Sequence, residues 1–112
     1  MSNELHFDSA LQALREKSVD RLLLADVFDA DAFEALLSYL DSKGARLKAE
    51  FAIPKQVLSC LRDAANSILS RAEYLPEVKR NIGTARQFEL LLDLMIIGET
   101  LSDRPPGQPR VV

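Results

Sequence analysis

Cysteine and histidine occur once each in this 112-residue chain, as Cys60 and His6. A single thiol forms no internal disulfide, which fits a reducing compartment. One cysteine and one histidine also leave no metal-ligand cluster, and so far apart they could form a Cys–His catalytic pair only by accident of folding. Glycine is scarce at four, and of the five prolines three fall in the last eight residues, so little interrupts helices in the body of the chain. There is no Gly-rich phosphate loop, no nucleophile arrangement and no internal repeat. The opening MSNELHFDSALQ has neither the basic nor the apolar stretch of a secretory signal. These absences argue against an enzyme, a cofactor and an exported protein, and they place the chain in a cytoplasm.

What is present is an ordinary globular composition, 47% hydrophobic and 28% charged, in a length that suits one domain. The most apolar stretch is Thr84 to Leu101, TARQFELLLDLMIIGETL. Thr84 and Gln87 have the spacing of a capping box, which predicts a helix starting at Ala85. Phe88, Leu91, Leu92 and Met95 then recur at the three-and-four spacing of one helix face, and Leu90, Leu94, Ile96 and Ile97 widen it. Only Arg86, Glu89, Asp93 and Thr100 form a polar stripe, so most of this helix needs cover from other helices or a second chain. With two carboxylates and about half of the roughly 20 apolar residues that a membrane span requires, it is not one.

Helical spacing recurs elsewhere. Asp8 or Ser9 can cap a helix carrying Leu11 and Leu14, and a second apolar set follows at Val19, Leu22, Leu23, Val27 and Phe28, which reads as two helices joined near Lys17. Asp31 and Glu34 form another capping box, with Phe28 anchoring the entry, for a helix that shows Phe33, Leu36, Leu37 and Leu40 and is expected to end at a left-handed Gly44. Residues 45–53 read as loop or a short turn. Pro54 opens a further helix in which Leu58, Leu61, Ala65, Ile68, Ala72 and Leu75 make a heptad seam, broken by Pro76. A short helix or turn follows up to Gly83. The fold expected is an all-α antiparallel bundle of four to five helices over residues 1–102, with an extended Pro-rich tail over 103–112. That tail holds Pro106 and Pro109 at polyproline-ligand spacing with Arg110 next to them, but such short patterns are common by chance, and a plain end, or a strap carrying Val111 and Val112, is the preferred reading.

Charge is polarised along the chain. Up to Ser42 nine acidic residues face three basic ones, while from Lys43 to Arg86 nine basic residues face four acidic. The plain reading is that the two parts hold each other. The sharper reading gives part of this field to a partner, by way of the acidic residues Asp20, Asp26, Asp29, Asp31 and Glu34. These do not form a calcium loop, since the spacing is wrong and no glycine supplies the turn. Glu89 and Asp93, four apart, could share a proton or hold a cation, but no histidine stands at Glu-x-x-His spacing, and a solvated stripe explains them. Cys60 beside the seam reads as a small core residue, and His6 lies in a stretch expected to fray.

The expected function is therefore a non-enzymatic helical protein that binds another protein, such as an inhibitor, an immunity or antitoxin-like protein, or an adaptor, with a basic partner and with homodimerisation through the Leu58–Leu75 seam or the Leu91–Ile97 face. The alternative is a nucleic-acid-associated regulator using Lys79, Arg80 and Arg86. Overall acidity, and a following helix that turns apolar at Phe88, count against it.

Overall fold

Two aspartates and a proline set where the longer helices begin. Asp8 accepts a hydrogen bond from the Leu11 N–H at 3.0 Å, and Asp29 one from the Ala32 N–H at 3.1 Å, each satisfying an amide that a helix start leaves unpaired. Pro54, with φ −55°, precedes a third start without needing a donor. In the computed structural model, which describes residues 3–103, these starts belong to α1 (Ser9–Arg15), α3 (Ala30–Arg46) and α4 (Lys55–Arg71). The other elements are a π-helical segment at Glu16–Asp20, α2 (Arg21–Ala25), α5 (Pro76–Arg80), α6 (Ile82–Ile96) and single 3-10 turns at Asn3–Leu5 and Leu101–Asp103. No strand occurs among the described residues, and α1, the π segment and α2 run on as one helix, so five helices make an all-α bundle.

That continuous first helix replaces the expected break near Lys17. The Ser18 hydroxyl donates to the Leu14 carbonyl at 2.8 Å, competing with the backbone ladder, and the ladder slips by one residue through Glu16–Asp20 instead of stopping. Ser18 and Val19 are fully buried on that segment. The helix ends at Asp26, whose φ of +55° is the left-handed conformation that aspartate tolerates, with the Val27 N–H reaching back to the Arg21 carbonyl.

The cap of α3 is Asp29, two residues before the expected Asp31. The reason is Phe28: directly before the cap, its ring stacks on Phe33 in the first turn at 5.3 Å between centroids, a hydrophobic staple that fixes the entry. Phe33 in turn meets Phe88 edge-on at 6.3 Å, joining α3 to α6. Gly44 does not cap α3. It is helical and buried, and a Cβ there would stand 3.0 Å from Thr100 Cγ2 and 3.2 Å from Met95, so its role is to let the end of α6 approach closely.

On α4 the buried face is Val57, Cys60, Leu61, Ala64, Ala65 and Ile68, rotated slightly from the expected seam; Leu58 sits at its margin, and Leu75 lies beyond the helix end. The pairing of α4 with α6 is the most extensive in the molecule. Helix α6 begins at Ile82, three residues before the expected start, after a one-residue break at Asn81 and with no side-chain cap from Thr84 or any other residue. It stops at Ile96, ahead of Gly98 at φ +77°, so the apolar stretch is helical to that point only and not to Leu101. No helix among the described residues is long and apolar enough to cross a membrane. Asp103, expected in the tail, closes the last 3-10 turn and pairs with Lys48; residues 104–112, with the polyproline pattern and both valines, lie outside the described residues.

Candidate functional site

The five acidic residues singled out in the sequence meet different fates. Asp20 lies 3.5 Å from Arg15, which also binds Asp63 at 2.8 Å. Asp26 accepts from the Tyr74 hydroxyl at 3.1 Å and pairs with Arg71 at 3.2 Å, tying the end of α2 to the turn after α4. Arg71 also donates to the Leu23 carbonyl at 3.1 Å. Asp29 is spent on its helix cap and lies 3.5 Å from Arg21. Asp31 and Glu34, on the first turns of α3, are exposed and carry no ion pair among the described residues. Around them the surface is not only acidic. Leu24 is 87% exposed, Tyr74 57%, and Leu23 and Val27 are partly uncovered at the same end of the molecule.

The plain reading of the charge pattern is realised at the other end. Glu4 and Asp8 from the acidic part meet Lys43 and Arg46 from the basic part. This cluster was not visible in the sequence, because its members lie 31 to 48 residues apart in the chain. Lys43 has a side chain only 2% exposed, 2.9 Å from Asp8 and 3.6 Å from Glu4. Asp8 also accepts from the Tyr39 hydroxyl at 2.7 Å, and Gln56 of α4 clasps its backbone twice, at 2.8 Å to the N–H and 2.8 Å to the carbonyl. Burial alone would raise the Asp8 carboxyl, but the hydrogen bonds from Leu11 N–H, Tyr39 and Lys43 outweigh it and hold the group at about 2. Burial and the nearby Asp8 push the Tyr39 phenol up. Every member of the cluster has a partner within it. Its chemistry is that of a structural lock, in which buried charges and hydroxyls satisfy one another.

Cys60 is buried, and burial pushes its thiol up to about 11. His6 is exposed before α1. Lys79 and Arg80 on α5 and Arg86 on α6 are all exposed, but they sit on separate elements, and α6 turns Ala85 and Phe88 into the core directly beyond Arg86. Glu89 and Asp93 are exposed on α6 and line one wall of an open groove of about 690 Å³ between α4 and α6, with Lys55 and Arg62 on the opposite wall. A smaller groove of about 230 Å³ lies beside Phe51 and Ile96 at the end of α6. Among the described residues no three His, Cys, Asp or Glu side chains gather as a metal site requires. In comparisons with known proteins, no family model matches the chain, and neither a curated protein nor a solved structure matches it.

Proposed function

We propose that this chain is a non-enzymatic binding protein of a cytoplasm, of the inhibitor, immunity, antitoxin-like or adaptor kind, and that the end where α2 passes into α3 meets a basic protein partner. The observation that carries this reading is the meeting of exposed apolar side chains, Leu23, Leu24, Val27 and Tyr74, with Asp26, Asp29, Asp31 and Glu34. An apolar centre with a charged margin is the usual build of a protein-binding patch, with aromatic side chains as its anchors and the margin steering encounter. Asp26 and Asp29 are pinned by Arg71 and Arg21, while Asp31 and Glu34 remain available. Asp20 stands outside this patch's working set, since it is turned to Arg15.

The test uses D31K/E34K and Y74A, which leave the α3 cap untouched. Proteins captured by the immobilised wild-type chain from its native cell are identified by mass spectrometry, and the association of the captured partner is then measured at several salt concentrations. The expected result is a basic partner, with association at low salt slowed roughly tenfold or more by D31K/E34K and affinity lowered by Y74A. An acidic partner, or association rates that D31K/E34K leaves unchanged, overturns the proposal.

Self-association belongs to the same reading. The α4–α6 face leaves Leu58 and Leu92 half-buried over an open groove, and a homodimer covers them.

A further inference from the structure

The groove between α4 and α6 has an apolar floor that includes Leu58, Ala65 and Leu92, and two walls of opposite charge. Lys55 and Arg62 stand on the α4 wall, Glu89 and Asp93 on the α6 wall. All four are exposed, and among the described residues none of them has an ion pair. The geometry points to a symmetric homodimer in which the basic α4 wall of each copy lies on the acidic α6 wall of the other. This rests on the self-association proposed above and names its face and register.

Symmetry decides the register. In a two-fold dimer the axis lies in the plane of contact. An axis parallel to the helices carries the α6 of one copy over the α4 of the other, so both halves of the interface join opposite charges. An axis across the helices instead lays α4 on α4 and α6 on α6, and every charged wall meets its own sign, which is strongly disfavoured when the walls are desolvated. The order along the groove agrees with the first arrangement. A ten-residue connection, residues 72–81, makes α4 and α6 antiparallel neighbours. Lys55 therefore lies toward the Asp93 end and Arg62 toward the Glu89 end. Rotation about an axis along the groove preserves position along it, so Lys55 of one copy falls toward Asp93 of the other, and Arg62 toward Glu89. Seven residues of α4 rise about 10.5 Å and four residues of α6 about 6 Å; the long, flexible basic side chains take up the difference. Leu58 and Leu92, the half-buried floor residues, supply the apolar contact between the charged walls.

The test is the mass of the full chain in solution, by sedimentation equilibrium, for the wild type, K55E/R62E, E89K/D93K and the variant carrying all four changes. The wild type is expected at twice the chain mass, and each double variant at the chain mass, with dissociation constants raised roughly tenfold or more. An equal mixture of the two double variants returns to the dimer, because each supplies the charge the other has lost. The fourfold variant, with its walls exchanged, also dimerises by itself. A wild type that stays monomeric up to about 100 μM overturns both self-association and this interface. A dimer that persists in both double variants overturns the interface and leaves self-association standing. A fourfold variant that keeps the wild-type helical signal yet stays monomeric overturns the crossed register, and this arm decides the matter even if a double variant loses its fold.

Discussion

Replacing Asp8 with asparagine removes one charge and one acceptor. The asparagine carbonyl can still cap α1 by accepting from the Leu11 N–H, as Asp8 Oδ1 does, but an NH2 group then stands where Oδ2 accepted from Tyr39 and Lys43, so the loss falls on these two and chiefly on Lys43, left with Glu4 at 3.6 Å as its nearest anion. Two routes give the magnitude. The Asp8 side chain is only 11% exposed and titrates at about 2 instead of 3.8, a difference of nearly two pKa units, which corresponds to about 2 kcal/mol of folding stability. Stranding one partner of a buried ion pair typically costs about 3–5 kcal/mol, and Glu4 lowers that figure here. D8N should therefore lose about 2–3 kcal/mol at neutral pH, measured by urea unfolding followed by circular dichroism. Adding K43M should restore much of it, because the buried charge is then gone. The pH dependence has a fixed sign. A carboxyl whose folded pKa is depressed adds stability above its unfolded value and loses it as pH falls through the folded one. The gap between wild type and D8N should thus be full above about pH 4 and close as pH approaches about 2. A loss below about 1 kcal/mol at pH 7, or a gap that widens in acid, refutes this account of the cluster.

Two further outcomes are expected. Glycine to alanine should act in opposite directions at two helical sites. G83A, where nothing lies within 4 Å of the added methyl, should gain about 0.5–1 kcal/mol from helix propensity, whereas G44A, driven against fully buried Thr100 and against Met95, should lose about 1 kcal/mol in denaturant titrations. Equal effects at both sites would contradict the close approach assigned to Gly44. The Cys60 thiol, buried and raised to about 11, should react with a maleimide at pH 8 only after unfolding; rapid labelling of the native chain would show that the α4 core opens readily.

Much of the fold was legible because apolar spacing survives any shift of a helix end. Phe33, Leu36 and Leu40, or Phe88, Leu91 and Met95, mark the buried faces of α3 and α6 wherever those helices begin. Helix ends were less legible, since several residues offer the same chemistry. Asp29 and Asp31 can both cap, and only the stacking of Phe28 on Phe33 selects the first. Gly44 and Gly98 can both end a helix, and packing by Met95 and Thr100 draws Gly44 into α3 and leaves the left-handed turn to Gly98. Ser18 carried no pattern at all, because its effect comes from one hydroxyl–carbonyl bond inside the helix. For the candidate surface, the chain showed which residues are acidic but not which are already paired. That requires Arg15, Arg21 and Arg71 to be placed in space, and the last of these comes from 45 residues beyond its partner Asp26.

Helix ends normally fray, opening and closing at almost no cost in free energy. The first turn of α1 is denied that freedom. To lift it, the chain must release Asp8 from Tyr39, from Lys43 and from both bonds of Gln56 together, which leaves an ammonium group inside the protein without its nearest counter-charge. Such an opening costs on the order of the 2–3 kcal/mol assigned to the cluster, well above the near-zero cost of an ordinary helix end. The amides at the start of α1 are therefore expected to exchange with solvent more slowly than those of an unanchored helix end, by the factor that the cluster's roughly 2–3 kcal/mol supplies.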